Sequence, residues 1–600
     1  MDIMSDINKN NSLDAKSSFF NKIFNIEKWK KNKNLKLTGK QIGSSLKIIS
    51  KTEKRFLLVL SLALIVSLIA WWRISYLEKT EIVPAEGGIL KEVIIGQPKS
   101  LNPLFSQLND ADRDISEILY RSLLKYDEKG KIIEDLVEKY KINKTGTIYE
   151  LTLKKGLLWS DGKAISADDV LFTIATKQDP SAQSPLRLYW QNIIKKVEKK
   201  DKRTVKIILH DPYLPFIENL TLKIIPKHIF EKIDLQKLSL APVENIVSSG
   251  PYKVKELQQS EYVEEKKITK IVLERNQNFE KRRSFIDEIE LSFVDELNLS
   301  DWEGTATNIG GIPPKNKNHL KDDFNIYSLY SPRYFALFLN QEKQIFKKSL
   351  IKKALFLSTP KNEIIEKVFF GDGRIVNGPF LPENNIGKIT SNYEFDLKKA
   401  KINLEKLGWK DIDKDGILED KKKSQELKFK LYTVNQKDLE KVASIIQKNW
   451  KKVGIKLEIT KLDPAEITDV IKNRKYDILL FGQALNMKAD PYPFWHSTQK
   501  KYPGLNLSQY ENTNVDEIME KSIKEKNENK RKKLLQSFQK TITNDKPAIF
   551  LYSPNYLYAT KKEIKGINGK YIINPSKRFI NIENWYIKEK RELKTANLNY

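Results

Sequence analysis

The chain has 600 residues, of which 40% are hydrophobic and 10% aromatic, so it is long enough to form several hydrophobic cores. It has no cysteine, which excludes disulfides, thiolate metal ligands, a cysteine nucleophile and lipid attachment to an N-terminal cysteine. The net charge of +28 is not concentrated in any zinc-finger, RNA-recognition or basic-zipper pattern. This favours a lysine-rich solvated surface over a nucleic-acid-binding surface.

Residues 56–72, FLLVLSLALIVSLIAWW, form the first predicted element, a transmembrane anchor. The run has no charge, is at the short end of what spans a bilayer, and ends in an interfacial tryptophan pair. Residues 1–55 hold 13 Lys or Arg against 5 Asp or Glu. This bias places the basic tail in the cytoplasm and residues 73–600 outside.

A cleaved signal peptide is the alternative to an anchor. The nearest small-residue cleavage site, Val83-Pro84-Ala85, lies well beyond the apolar run and contains a proline, so we expect the helix to stay attached. Within the basic tail, Phe20 to Trp29 predict either a membrane-surface helix or a disordered segment. Residues 73–88 are expected to be a linker.

Beyond the linker, KEVIIG (91–96) predicts a strand and DRDISEILYRSLL (112–124) an amphipathic helix. In WSDGKAISADDVLFT (159–173), three aspartates suggest either an active site or local structure. Ser166 followed by Asp169, just before an apolar run, is typical of a helix capping box, and Asp161-Gly162 of a turn. We therefore interpret these aspartates as structural.

Strand and helix patterns alternate most clearly in the third quarter of the chain. Strands are predicted at 427–433, 455–460 and 476–482, and helices at 437–452 and 464–473. This βαβαβ order predicts a parallel sheet covered by helices.

Motifs for catalysis and cofactor binding are absent from the sequence. It contains no HExxH, GxSxG, GxGxxG or GxxxxGK[ST], and its four histidines are scattered singly, so we expect neither an enzyme nor a cofactor. One segment, DIDKDGILED (411–420), places Asp411, Asp413 and Asp415 as in the first half of a calcium loop. Lys422 replaces the acid expected at loop position twelve, so the segment predicts either a weak calcium site or a polar turn.

From Gly88 to about Lys565 the chain resembles the family 5 extracellular solute-binding proteins, the oligopeptide and dipeptide receptors of ABC importers. The resemblance rests on the order and spacing of several blocks rather than on any single one. These blocks are SLNP (100–103), YRSLLKYDEKGKIIEDLVEKY (120–140), YELTLKKGLLWSDGKAISADDVLFTI (149–174), SSGPYKV (248–254), LERNQNF (273–279), LFLN (337–340), KKALFLSTPKNEIIEKVFFGDG (352–373) and FGQALNMKADPYPFWHS (481–497).

The resemblance implies an α/β fold of the periplasmic-binding-protein type, with two large lobes, an extra inserted lobe and a preceding transmembrane helix. The expected boundaries are 89–126, 202–327 and 545–600 for lobe I, 127–201 for lobe II and 328–544 for lobe III. It also implies that the lobes close by a hinge on an extended ligand. In that family, peptide backbones pair with strand edges and water-filled pockets take the side chains.

Two positions depart from the family pattern for holding a peptide's charged ends. The aspartate that holds the α-amino group falls on Asn486 when counted from Gly482, although Asp490 lies four residues later and could replace it. The position after the glycine, which commonly holds tryptophan in the family, is occupied by Gln483 here. The arginine with which dipeptide receptors hold a carboxylate is absent from VNQKDLE (434–440), where Lys437 is nearby.

The sequence therefore predicts a membrane-tethered, monomeric extracytoplasmic receptor that delivers peptides to an ABC permease and its ATPase subunits. The alternatives are a receptor for a non-peptide solute, and an envelope interaction or scaffold protein that retains the fold. A loop that follows the carboxyl end of a strand is where open α/β folds place ligands. The predicted ligand-binding residues are Gln107, Asn109, Tyr189, Trp190, Asn340, Gln483, Asn486 and Asp490.

Overall fold

A computed structural model of the chain describes most of its residues. The described residues are 50–106, 109–184, 187–240, 246–260, 267–279, 284–302, 304–387, 394–420, 425–485 and 487–594. The chain divides into two compact units. One unit is Pro84–Lys590, and the described part of the other is 50–83 with 591–594. Most of the basic tail lies outside the described residues.

The N-terminal unit contains a helix over Lys51–Lys79, which includes the whole predicted span 56–72. In the part of the chain that the structure describes, one stretch, Lys54–Lys79, is long and apolar enough to cross a membrane, and a signal sequence has the same properties. The expectation of a linker over 73–88 is corrected. The helix continues to Lys79, and Thr80–Ala85 is a strand.

The first lobe of the large unit is built on a seven-stranded mixed sheet. Ile89–Ile95 lies inside it and runs parallel to both of its neighbours, and the other strand pairs are antiparallel. The strand predicted at KEVIIG is therefore confirmed. In spatial order the strands are Phe324–Leu329, Tyr556–Lys561, Asn308–Gly310, Ile89–Ile95, Glu288–Val294, Ile268–Arg275 and Tyr252–Gln259.

The second lobe is a four-stranded antiparallel sheet with helix Ala167–Gln178. Its strand Thr204–Leu209 pairs with two other strands of this sheet, so the lobe extends past the expected boundary at residue 201. The sequence pattern of a strand does not show which sheet the strand joins, because this depends on backbone hydrogen bonds to strands that are distant in the sequence. In spatial order the strands are Val137–Ile142, Ile148–Leu153, Thr204–Leu209 and Ile194–Lys199.

The third lobe is built on a six-stranded sheet. Its strands Lys428–Val434, Lys456–Leu462 and Ile478–Ala484, with helices Lys437–Lys451 and Pro464–Asn473, confirm the predicted βαβαβ unit, and these three strands run parallel. The predicted parallel arrangement is present in this unit, and the complete sheet is mixed. The other half of the sheet is antiparallel and consists of Arg333–Leu339, Ala548–Pro554 and Gly373–Ile375.

Two further sequence expectations are corrected by strand pairing. Ala548–Pro554 joins the third lobe's sheet and Phe324–Leu329 the first lobe's, so the lobe boundaries lie near residues 330 and 555 rather than at 328 and 545. The helix expected over 112–124 is observed as Asp110–Leu119. Tyr120 is extended, and Leu124–Tyr126 pairs with Ile132–Glu134 instead of continuing the helix.

The remaining elements are short strands, helices and 3₁₀ turns. Short strands are Trp409–Lys410, Glu419–Asp420 and Gln425–Glu426, and a longer strand is Lys588–Leu593. Further helices are Arg187–Ile193, Phe216–Asn219, Lys227–Phe230, Gln344–Lys347, Ser349–Leu357, Lys361–Phe369, Leu397–Glu405, Tyr492–Trp495, Thr513–Lys524 and Glu528–Asp545. The 3₁₀ turns are Leu235–Leu240, Leu299–Asp301, Pro314–Asn316, Pro382–Asn384, Ser497–Gln499, Pro575–Phe579 and Ile582–Asn584.

The hydrophobic cores follow these sheets. One continuous cluster, including Trp159 and Trp585, joins the first and second lobes. The third lobe has a separate cluster on each face of its sheet. Leu337 faces one cluster while Ala336 and Phe338 face the other, as the two-residue period of a strand requires.

The chain passes between the first and third sheets twice, at 330–332 and at Asn555. Asp372 lies beside both crossings and accepts hydrogen bonds through its side chain and through its backbone carbonyl. Its side chain accepts from Lys317 Nζ (2.7 and 2.9 Å) and from the Ser328 hydroxyl (3.2 Å), and its carbonyl accepts from the Asn555 amide (3.2 Å). These two crossings are the covalent connections between the first and third sheets.

The capping box predicted from Ser166 and Asp169 is confirmed. Asp168 N–H donates to the Ser166 hydroxyl (3.2 Å), and the Ser166 N–H donates to the Asp169 carboxylate (2.8 Å). Asp169 also accepts from the backbone N–H of Lys227 (2.9 Å), which fastens the helix to the next segment of chain. Asp161 accepts from the Lys163 backbone N–H, as expected for a turn.

We predict that Ser166→Ala lowers the free energy of unfolding by about 1 kcal/mol, because the helix loses its N-cap acceptor. Hydrogen exchange of the helix amides measures the change locally. Ser181→Ala, at an exposed position beyond the same helix, is the control and should leave exchange unchanged. Equal effects of both variants would contradict the capping role.

Candidate functional site in the cleft between lobes

The loop that follows strand Ile478–Ala484 reaches from the third lobe to the first. Its buried Asp490 accepts a hydrogen bond from the hydroxyl of Tyr213 (2.7 Å), which lies across the cleft, and one from the backbone N–H of Tyr492 (3.1 Å). The Tyr213 hydroxyl also lies next to that of Tyr189, which accepts from Asn219 Nδ2 (3.2 Å). Asp490 therefore joins the two lobes through an aromatic cluster.

A second carboxylate, Glu218, meets the same loop from the first lobe. It lies in the short helix Phe216–Asn219 and accepts a hydrogen bond from the backbone N–H of Lys488 (2.5 Å) and another from the Tyr126 hydroxyl. Its exposed fraction is 7%. Two nearly buried carboxylates, one from each lobe, thus face each other at the loop.

Arg531 fixes the backbone of this loop from within the third lobe. Its guanidinium donates to the carbonyls of Lys488 (2.6 Å) and Ala489 (2.9 Å). Ala489 has a φ of 47°, in the left-handed region that is strained for a residue with a Cβ. Arg531 therefore stabilises a backbone turn that places Asp490 in the cleft.

Burial dominates the electrostatics of both carboxylates. It raises the pKa of Asp490 above its ordinary value, although Tyr213, the Tyr492 N–H and the positive charge of Arg531 act in the opposite direction. Burial also raises the pKa of Glu218 to about 7, opposed by its bonds to Lys488 N–H and Tyr126. A cation in the cleft would favour the charged forms of both groups.

One cavity adjoins the loop, and a second one shares the wall residue Glu218 with the site. A small one of about 10 Å³, room for a single water, has Tyr126, Tyr330, Met487 and Tyr571 in its wall. At Gly130, where φ is 75°, an added Cβ would lie 2.5 Å from the Met487 methyl carbon, so the lobes are in close contact here. The larger cavity, of about 190 Å³, is lined mainly by first-lobe residues, among them Glu218 and several other charged side chains, and by Trp190 from the second lobe.

Of the predicted ligand-binding residues, the structure brings Tyr189, Trp190 and Asp490 to this region. Trp190 is buried, packs edge to face on Phe216 with ring centroids 6.5 Å apart, and lines the larger cavity. Contact of these side chains with a ligand stays a prediction.

Three other predicted residues make bonds inside a single lobe. Asn109 caps helix Asp110–Leu119, where its side chain accepts from the Ala111 N–H (2.9 Å). Asn340 is buried and donates to the carbonyl of Tyr476 (3.0 Å), as a strand-end cap does. Gln483 accepts from the Tyr334 hydroxyl (2.5 Å). Gln107 and Asn486 lie outside the described residues.

Several residues of the site were not predicted, among them Tyr126, Tyr213, Glu218, Met487 and Arg531. They come from distant parts of the chain, and no local pattern marks them. The one available signal was the loop after strand Ile478–Ala484, because a strand's carboxyl end is where such folds bind ligands. Its partners on the opposite lobe are set by tertiary packing alone.

The calcium-like segment brings together a different set of acids from the predicted one. Ligand oxygens of Asp411, Asp413 and Glu419 lie within 4.8 Å of one another, and Asp415 is not among them. Asp415 accepts instead from the backbone N–H of Ile417 (2.7 Å). Asp411 and Asp413 also accept backbone N–H bonds, an arrangement typical of a polar turn, and calcium binding stays a prediction.

Comparison with known proteins decides the family. Residues 131–504 match the family described as bacterial extracellular solute-binding proteins, family 5. The chain belongs to this family. It is thus a substrate-binding protein of an ABC importer and not an enzyme, as the sequence predicted.

The oligopeptide-binding protein AppA of Bacillus subtilis (strain 168) is one similar family 5 member. It is 29% identical over 521 residues, which are 84% of this chain and 92% of AppA. The structure of AppA in complex with a nonapeptide has a TM-score of 0.68 and 27% identity, covering 84% of this chain and 100% of that one.

The structure of NikZ from Campylobacter jejuni in complex with Ni(L-His) shares the fold as well. Its TM-score is 0.69 at 23% identity, covering 83% of this chain and 99% of that one. The predicted α/β periplasmic-binding-protein fold is therefore confirmed for the part of the chain that these structures cover. Solutes as different as a nonapeptide and a nickel complex are bound on this fold, so the fold alone does not identify the ligand.

We predict that the raised pKa of Glu218 makes this closed arrangement less stable as pH rises. The pKa is 4.5 for an ordinary glutamate and about 7 here, so the stabilising contribution is fully present below pH 4.5 and is lost by about pH 7. The change is about 3 kcal/mol at most. It should appear as a falling melting temperature between pH 4.5 and 7.

Glu218→Gln should flatten that part of the pH profile, because glutamine does not titrate. Glu405→Gln, at an exposed position of the third lobe, is the matched control and should keep the wild-type slope. If Glu218→Gln has the same slope as the control, Glu218 does not govern the pH dependence.

Proposed function

We propose that this protein is a membrane-anchored receptor that captures peptides in the cleft between its first and third lobes and delivers them to an ABC permease. The observation that carries the proposal is Asp490. It is an acidic side chain on the third lobe that lies buried in the cleft and faces the first lobe. In this position it offers a negative partner for the α-amino group of a peptide.

The chemistry of the site supports a peptide amine as the group that binds there. A charged ammonium forms a stronger hydrogen bond with a carboxylate than a neutral tyrosine hydroxyl does. It would take the place of the Tyr213 hydroxyl and lower the raised pKa of Asp490. Binding and closure are thereby coupled, because the ligand supplies the charge that the closed cleft lacks.

The two crossings at 330–332 and Asn555 support a hinge between the lobes. Closure around a ligand through a few hinge residues is a common transition of two-lobed binding proteins. The permease and its ATPase subunits would then receive the closed, loaded form. We propose that the receptor acts as a monomer and that the helix Lys51–Lys79 keeps it at the membrane.

The ligand is best identified by direct extraction. The full chain, purified in detergent, is incubated with growth medium or lysate, repurified and denatured, and the released molecules are analysed by mass spectrometry. Release of peptides supports the proposal. Release of a metal complex or another small solute would make it a non-peptide receptor, and release of nothing would favour the scaffold alternative.

We predict that Asp490→Asn weakens the binding of peptides with a free N-terminus by about 1.5–3 kcal/mol, the range for a hydrogen bond to a charged group. Asparagine keeps the acceptor for Tyr213 and removes only the charge. N-acetylated versions of the same peptides should bind the variant and the wild type equally. Calorimetry measures both, and equal losses for free and acetylated peptides would rule out the amine-anchor role of Asp490.

The anchor has its own prediction, based on the basic flank before the apolar helix. A protease added outside spheroplasts should cleave the receptor beyond the helix and spare an epitope tag placed within residues 1–50. A mature N-terminus near residue 86 would instead identify a cleaved signal peptide.

A further inference from the structure

The cavity of about 190 Å³ on the first lobe has more positive than negative side chains in its wall. Its size is comparable with an engineered cavity of about 150 Å³ that binds benzene, so it has room for a small organic group. The charged residues in the wall are Arg113, Glu117, Glu218, Lys223 and Lys577.

Three of these charges form a largely buried triad. Glu117 accepts from Lys577 Nζ at 2.7 Å and pairs with Lys223 Nζ at 3.1 Å. The exposed side-chain fractions are 7% for Glu117, 14% for Lys223 and 12% for Lys577. One carboxylate balances one ammonium, so the triad itself keeps one net positive charge, while Asp135, which is bonded to Arg121, also acts on Lys223. A buried charge that is only partly compensated is costly.

The pKa values of the triad agree with this geometry. Burial alone would raise the pKa of Glu117, yet Lys223 and Lys577 together hold it below its ordinary value. Burial lowers the pKa of Lys223 to about 8, and the positive charge of Lys577 acts in the same direction, against Glu117. Lys223 is thus an ammonium that an additional anion would stabilise.

Two further groups in the cavity wall, Arg113 and Ser116, also favour an anion in the cavity. Arg113, from helix Asp110–Leu119, adds a third cation to the wall, and it also pairs with Asp110 on its own helix. The hydroxyl of Ser116, on the same helix and only 3% exposed as a residue, has no hydrogen-bond partner among the described residues. A buried hydroxyl without a partner is unfavourable unless something in the cavity bonds it. With Glu218 either charged or neutral, the wall remains net positive.

We propose that this cavity is a subsite for a carboxylate group of the bound ligand, with Lys577, Lys223 and Arg113 as its counter-charges and Ser116 as a hydrogen-bond donor. The inference rests on the proposed peptide-receptor function and adds the charge of the preferred peptide. The carboxylate comes from an acidic side chain or from the C-terminus.

This subsite would supply what the third lobe lacks. The segment 434–440 has no arginine to hold a carboxylate. Glu218 connects the two sites, since it lies in the cavity wall and also bonds the loop that carries Asp490. A ligand with an ammonium at Asp490 and a carboxylate in the cavity would satisfy both lobes at once.

The test uses the full chain in detergent and four randomised tetrapeptide pools. Two pools have a free C-terminus and two have an amidated C-terminus. In each pair, one pool contains Asp and Glu and the other contains neither. We expect Lys577→Gln to weaken the binding of pools that bear the preferred carboxylate by at least about tenfold and to leave the amidated, acid-free pool unchanged. The pool that is affected identifies the source of the carboxylate.

Two variants serve as controls. Lys577→Arg keeps the charge and should keep the preference, while Lys199→Gln removes an exposed lysine of the second lobe and should change nothing. If Lys577→Gln lacks the wild-type circular dichroism spectrum, Arg113→Gln carries the same test. An equal loss for every pool, or no preference for any carboxylate in the wild type, would overturn the proposal.

Succinate separates a failure of this inference from a failure of the peptide function. If no pool raises the melting temperature, the peptide proposal is wrong, and the simple dicarboxylate then decides on the subsite. Stabilisation by succinate that is lost in Lys577→Gln supports a carboxylate site. The absence of any stabilisation by succinate as well would overturn it.

Discussion

The contact between the lobes at the cleft depends on the hydrogen bonds that two buried carboxylates accept. Asp490 and Glu218 are almost removed from water, and burial raises the pKa of each. Each takes a hydrogen bond from the opposite lobe, Asp490 from Tyr213 and Glu218 from the Lys488 N–H. These two bonds connect the lobes, and the net contribution of a single hydrogen bond of this kind to stability is modest.

This arrangement suits a receptor that has to open and close. A cleft closed by an apolar interface would be costly to open. A cleft closed over two buried carboxylates is less stable, so the positive charge of a ligand can shift the equilibrium towards the closed form. The covalent geometry allows such motion, because only the crossings at 330–332 and Asn555 join the two sheets. Asp372 is bonded to Lys317, to Ser328 just before the first crossing and to Asn555 at the second.

The distribution of charge separates the surface from the site. A net charge of +28 over the chain arises mostly from exposed lysines, and many of these lie in surface ion pairs that contribute little to stability. The charges in the first-lobe cavity are of another kind. Lys223, Lys577 and Glu117 are largely buried, so their interactions are strong and their balance decides which ligand charge is accepted.

Local patterns in the sequence determined the elements whose stability is local. The Ser166–Asp169 capping box, the strand Ile89–Ile95 and the βαβαβ unit ending at Ala484 all follow from spacing, capping and turn residues within a few positions of each other. The order of the motif blocks also identified the family. The sequence further indicated the Asp490 loop, because the loop follows a strand end.

The tertiary structure alone decided which strands share a sheet and which side chains share the cleft. Thr204–Leu209 and Ala548–Pro554 are strands whose partners are set by ladder hydrogen bonds to distant segments, and so the expected lobe boundaries shifted. Tyr213 lies 277 residues before Asp490 in the chain, and Lys577 lies 460 residues after Glu117. Contacts of this range leave no periodicity or spacing in a single sequence, since they arise only when distant segments of the chain pack together.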